Sequence, residues 1–263
     1  MRPTDEVFGT HTKGSWFNNL NIIGHTGDAH PNYFGQQALA ESLEASIKSD
    51  GVVATHSKSV LLYGDNDSRD GDVTGFSNIA AALEARGFQV TEDNSVTLPS
   101  DYRTYGQIWF YGYYPPNPTD YASLEAYVKD GGGLFLSGEW GPVDMFANAG
   151  VQAVVQATVS LSISVSGDAF NAVVPVNTNA IDHVATSPNN LTTWTPSQEG
   201  SLANVAPGNV LFAGTDGDAS GAVWNAGGGR LAVLMDINWA QTNYEDPATM
   251  PQVVQNIATF LAG

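Results

Sequence analysis

Four stretches of the 263-residue chain set carboxylates and aromatic side chains directly after short apolar runs. Residues 59–64 (SVLLYG) lead into Asp65, Asn66 and Asp67, and residues 107–111 (QIWFY) lead into Tyr113 and Tyr114. Residues 134–137 (LFLS) lead into Glu139 and Trp140, and residues 230–235 (RLAVLM) lead into Asp236, Asn238 and Trp239. Runs of this length and apolarity read as strands, and parallel sheets collect ligand sites at the carboxyl ends of their strands. Two carboxylates on neighbouring strand ends could act as an acid/base pair, with flanking aromatics stacking on sugar rings. The catalytic candidates on that reading are Glu139, Asp236 and Asp65, and the ligand-binding candidates are Tyr111, Tyr113, Trp140, Asn238 and Trp239. Asp and Asn at strand ends also cap turns and helices through side-chain hydrogen bonds, so a purely structural reading stands beside the chemical one.

Two loops could hold a metal. Residues 65–72 (DNDSRDGD) carry four aspartates, an asparagine and a serine in eight positions. Hard oxygen ligands at that density suit Ca²⁺, with Asp65, Asp67, Asp70 and Asp72 as the candidate ligands, although the spacing is not that of an EF-hand. Residues 25–30 (HTGDAH) offer His25, Asp28 and His30, a set compatible with zinc or another transition metal if a further ligand joins from elsewhere. The bland alternatives are a solvated turn and an ordinary polar surface loop.

Other chemistries find less support. Ser137-Gly138 lacks the G-x-S-x-G setting of a serine nucleophile, even with His183 downstream. Gly131-Gly132-Gly133 enters a strand rather than a helix and has no P-loop lysine, so it is no phosphate cradle. The acidic loop after the first run would repel a flavin phosphate.

Composition narrows the field further. The absence of cysteine excludes disulfides, zinc thiolates, iron–sulfur clusters and a thiol nucleophile. With 27 acidic against 9 basic residues the formal charge is −18, which disfavours nucleic acid and anionic membrane as partners. No apolar run reaches the length of a membrane span, and the N-terminus shows no apolar signal segment. Scarce lysine, no cysteine and abundant Asn, Ser and Thr suggest a secreted or cell-surface protein, with the cytoplasm of a salt-adapted organism as the alternative.

The elements that must position these residues alternate. Helical periodicity marks residues 35–49, 75–86, 121–129 and 252–261, and residues 147–158 could also be helical. Strand-like runs fall at residues 59–64, 88–91, 107–111 and 134–137, then at 159–165, 173–176 and 208–214. Residues 221–225 and 230–235 form a predicted antiparallel hairpin. Residues 182–207 read mostly as loop. Strands too apolar to be half exposed, alternating with one-sided helices, predict a mostly parallel sheet covered on both faces, a three-layer α/β domain over residues 59–263. Residues 1–58 are expected to form an N-terminal extension packed on that core.

This order resembles the class I glutamine-amidotransferase-like, flavodoxin-like domains, including the ThuA-like proteins. The matching pieces are SVLLYGD at 59–65, ALEARGFQV at 82–90, YVKDGGGLFLSG at 127–138 and GGRLAVLMD at 228–236. An active amidotransferase of that family places a cysteine after the strand that follows the Gly-Gly-Gly turn, where this chain reads Ser137-Gly138-Glu139-Trp140-Gly141. Glutaminase chemistry through a thiol is therefore excluded, and Glu139 stands about where the nucleophile would be. The resemblance implies a degenerate scaffold: a non-catalytic binding or structural protein that takes a polar glycan or assembles with its own copies. The alternative is a carbohydrate-directed hydrolase using Glu139, Asp236 and Asp65.

Overall fold

The computed structural model describes residues 58–66, 71–168, 173–214, 217–244 and 246–263. Residues 1–57 of the expected N-terminal extension, with the helix at 35–49, and the candidate ligands His25, Asp28, His30, Asp67 and Asp70 lie outside the described residues.

The first half of the domain winds as the alternation predicts. β1 (Ser59–Tyr63) is followed by α1 (Gly75–Glu84) and β2 (Gln89–Asp93). Then come β3 (Gln107–Phe110), α2 (Tyr121–Lys129), β4 (Gly133–Ser137) and α3 (Asn148–Val159). The second half carries β5 (Ser164–Asp168), β6 (Val174–Pro175), β7 (Thr193–Trp194), β8 (Gly200–Ala203) and β9 (Val210–Ala213). It closes with the hairpin β10 (Ala219–Ala226) and β11 (Gly229–Leu234) and the helix α4 (Met250–Ala262). Among the described residues, nine strands form one sheet in the order β2-β1-β3-β4-β11-β10-β8-β5, with β9 also pairing with β10, while β6 and β7 pair separately. The run from β2 to β11 is parallel, and β10, β9, β8 and β5 extend it antiparallel. The sheet is thus mixed, and its antiparallel part reaches beyond the predicted hairpin. This is a flavodoxin-like α/β architecture.

Register explains the two cores. Leu62, Trp109, Phe135 and Ala232 are side-by-side partners across β1, β3, β4 and β11, and all face the layer that includes α1 and α4. One residue earlier, Leu61, Ile108, Leu134 and Leu231 align on the opposite face with α2 and α3. Period-two alternation therefore sends apolar groups into both layers, which is why these strands show no polar side. Each fully buried Leu of this kind contributes roughly 1.5–3 kcal/mol. Gln107, buried in β3, donates to the Ala258 carbonyl of α4 at 2.8 Å and accepts the Trp109 indole N–H at 2.9 Å, so its polar atoms bind helix to sheet.

Two local expectations change. The predicted strand at 159–165 is displaced: α3 continues to Val159 and ends at Ser160 in a left-handed conformation (φ 55°), and β5 begins only at Ser164. The i, i+3, i+4, i+7 set Val151, Val154, Val155 and Thr158 is buried, so helical periodicity governs there, while Leu161 is left exposed. The predicted loop at 182–207 contains β7 and β8, and β8 joins the main sheet between β10 and β5.

Candidate functional site

Because β1, β3, β4 and β11 are parallel neighbours, their carboxyl ends lie along one edge of the sheet, which brings the four sequence-predicted clusters to one rim. The rim is built around Glu139 and Asp236, exposed by only 1% and 0%. Glu139 Oε2 accepts the Ile237 N–H at 3.1 Å, and Oε1 accepts the Trp140 N–H at 3.2 Å. Asp236 Oδ1 accepts the Asn238 N–H at 2.7 Å and Oδ2 accepts the Ser197 N–H. One carboxyl thus ties the β4 end to the β11 end, and the other ties the β11 end to the segment preceding β8. Gly200, at the start of β8, lies so close that an added Cβ would come within 2.5 Å of the Glu139 carbonyl oxygen.

Burial pushes the Glu139 carboxyl well above the usual carboxylate range, and the nearby Asp236 charge pushes it further, against the two backbone N–H groups it accepts. Burial also pushes Asp236 up to about 7; the N–H groups of Ser197, Asn238 and Gln198 oppose the shift, and the charge of Glu199 adds to it. Glu199 is itself fully buried. The Tyr111 phenol is raised well above its ordinary value, first by burial and then by Asp236 and Glu139, so it stays a neutral donor. Its hydroxyl donates to the Ile237 carbonyl at 2.6 Å.

Asp65 stands apart from this pair. Its Oδ1 accepts the Tyr113 N–H at 2.8 Å and its Oδ2 the Tyr114 N–H at 3.3 Å, so it fastens the β1 end to the β3 end. Gly112 makes that approach possible, since a Cβ there would meet Asp65 Oδ1 at 2.0 Å. Asp72 accepts the Thr74 N–H and the Asn243 N–H, both at 2.9 Å, tying the loop before α1 to the loop after β11. Among the described residues no group of three or more His, Asp or Glu side chains is arranged to hold a metal ion.

The aromatic candidates divide by exposure. Tyr111 and Trp239 are buried (1% each), and Trp239 packs edge-on against Phe135 and Trp194. Tyr113 is buried beside Phe146, and its hydroxyl accepts the Asn238 amide at 3.1 Å. Asn238 in turn donates to Gln241 at 2.6 Å, and Gln241 donates to the Asp72 carbonyl at 2.9 Å. Trp140, half-buried, meets Phe146 edge-on at 5.5 Å. The large aromatic faces open to solvent at these loops are Tyr114 (62% exposed) and Tyr244 (40%).

Sequence reasoning missed Ser197, Glu199, Asn148 and Gln241. Nothing in their local spacing marks them. Ser197 and Glu199 fall in a stretch without periodicity, and Asn148 sits inside the small-residue string ANAG.

No family model and no curated protein matches the sequence. Solved structures do match at the level of fold. The mmIFT52 N-terminal domain superposes with a TM-score of 0.57 at 12% identity, over 78% of this chain and 97% of that one. A thua-like protein from Bacteroides uniformis gives 0.50 at 14% identity, over 80% and 91% of the two chains. A beta-galactosidase from Bacillus circulans sp. alkalophilus gives 0.52 at 14% identity; the match covers 89% of this chain and about a third (35%) of the galactosidase. At these identities the likeness is one of fold, a flavodoxin-like α/β scaffold, and the chain has no cysteine to carry thiol chemistry.

Proposed function

We propose that the chain is a non-catalytic binding or structural protein on this scaffold, acting outside the cell, with the loops at the strand ends as its contact surface. The observation that carries the reading is the condition of Glu139 and Asp236. Both are closed off from solvent, and each carboxyl oxygen accepts a backbone N–H. A general acid must reach the bond it protonates, and carboxyls engaged in this way serve to fasten loops. The exposed Tyr114 and Tyr244 on the surrounding loops suit contact with a polar glycan or with a second copy of the chain. Calcium binding by the loop at 65–72 is a separate proposal, supported by its oxygen density.

The second reading, a carbohydrate-directed hydrolase, draws on two observations. Asp236 is held near neutrality beside a second raised carboxyl, a pairing that acid/base enzymes use, and the scaffold is shared with part of a beta-galactosidase. Assay of the full chain and of Glu139→Gln on a panel of aryl glycosides and esters separates the two. Our reading expects no turnover from either protein and an altered melting temperature in the variant. Turnover that disappears in Glu139→Gln while the melting temperature stays fixed would establish the hydrolase instead.

A further inference from the structure

We propose that Glu139 and Asp236 form a proton-dependent latch, which holds the loops after β4 and β11 and the segment before β8 together when the pair carries a proton and releases them when it does not. The geometry supplies both the hold and the instability. Four backbone N–H groups from three separate segments, those of Trp140, Ile237, Asn238 and Ser197, converge on the two carboxyls. Among the described residues no Lys, Arg or His is ion-paired with either carboxyl. The charges acting on the pair are acidic: Asp236 on Glu139, and Glu199, from the segment before β8, on Asp236. From β3 the pair is faced by Tyr111, which is neutral, and Tyr111 is in turn faced by Tyr113 and by Asp72 of the loop before α1.

A buried pair of like carboxyls is tolerable while it holds a proton, and one that has lost it is a repelling dianion out of reach of water. Loss of the proton from the carboxylic acid to solvent leaves two carboxylates in one buried region. Relief comes from opening the loops so that water reaches both groups. Burial and mutual repulsion set the affinity of the pair for its proton high, so release falls at neutral to alkaline pH. The latch is independent of whether the rim binds a glycan or a second copy.

Amide hydrogen exchange of the full chain tests this, with rates corrected for their intrinsic pH dependence. Between pH 6 and pH 9, peptides covering residues 138–142, 195–200 and 235–240 should lose protection by about tenfold or more. Opening that releases one proton becomes about tenfold more populated for each tenfold fall in proton activity. Peptides from α2, on the other side of the sheet, should not change. Glu139→Gln and Asp236→Asn each remove one ionisable group, so the fall in protection between pH 6 and pH 9 should shrink in each and vanish in the double variant, whatever the level of protection at pH 6. Infrared spectra of the wild-type chain give a check that needs no variant. The band of a buried protonated carboxylic acid should be present at pH 6 and vanish as protection falls. Protection that is flat with pH in the wild type, a fall in the double variant equal to that of the wild type, or no such band at pH 6 would overturn the latch.

Discussion

Asn148, the first residue of α3, holds the loop that carries Glu139: its Oδ1 accepts the Glu139 N–H at 2.9 Å. Its amide nitrogen faces the carbonyls of Trp140, Gly141 and Pro142 at 3.3, 3.2 and 3.3 Å. A single fully buried amide therefore accepts from one end of this loop and donates toward the other. Asn148→Ala should destabilise the domain by about 2–3 kcal/mol, the cost of leaving buried backbone groups unpaired. Asn148→Asp should cost more, because it keeps the acceptor, removes the donor and adds a further charge near the pair. Urea denaturation of the two variants gives the order; equal midpoints would contradict it.

The carboxyl pair also sets a direction for stability against pH. Asp236 rises in the fold from the ordinary carboxylate range to about 7, and Glu139 rises as well, so the folded chain holds more protons than the unfolded chain above about pH 4. Stability from these groups is complete below the unfolded value and is lost as pH climbs through the folded value. Urea midpoints should fall between pH 4.5 and 8, by an amount on the order of several kcal/mol across the window. Asp236→Asn should flatten the profile. The general self-repulsion of a chain at −18 acts in the same direction, so the difference between wild type and variant is the quantity to read.

How much of this was legible follows from which strands are buried on both faces. β1, β3, β4 and β11 are apolar at nearly every position because each faces a helix layer on either side, and that run of Leu, Ile, Val, Phe and Trp is visible in any window. β8 reads GSLA, with one large apolar residue, and its burial comes from neighbours on both sides, which a local window does not contain. The same limit applies to the site. Parallel topology placed Glu139 and Asp236 on one rim, as strand-end logic predicts. Their closure from solvent depends on Ser197, which donates to Asp236 from 39 residues away in sequence. Tyr113 and Tyr114 show the finest grain of the problem: adjacent tyrosines, one buried against Phe146 and one 62% exposed, separated only by the path of the loop.

Asp65 and Gly112 form a second fastening whose two halves should fail differently. Gly112→Ala puts a methyl group where Asp65 Oδ1 already lies, 2.0 Å away, so either the carboxylate or the backbone must move. The expected loss is about 1–3 kcal/mol from overpacking. Asp65→Ala removes the acceptor for the Tyr113 and Tyr114 N–H groups and should cost a similar amount. Once the Asp65 carboxylate is gone the tightest clash is relieved and only the backbone nitrogen of residue 65, at 2.9 Å, still crowds the methyl group, so the double variant should be less destabilised than the sum of the single ones. Denaturation midpoints for the four proteins close the cycle, and strict additivity would show that the two residues do not interact.

The calcium proposal at residues 65–72 can be separated from these structural roles. The oxygens of Asp65 already accept backbone N–H groups from Tyr113 and Tyr114, and those of Asp72 from Thr74 and Asn243. An ion bound there would share those two carboxylates with the fold and would draw its remaining charge from Asp67 and Asp70. A cation that binds only the folded chain raises the melting temperature by mass action, about 2.7 kcal/mol of stabilisation at a concentration one hundred times the dissociation constant. Melts in millimolar CaCl₂ should therefore lie above melts in excess EDTA. Replacing Asp67 and Asp70 together by Asn should abolish that difference while leaving the EDTA melt near wild type. Asp65→Asn should lower both melts, because it weakens the join between the β1 and β3 ends whether or not an ion is present. Superimposable wild-type melts would remove calcium from the account and leave Asp65 and Asp72 as fastenings alone.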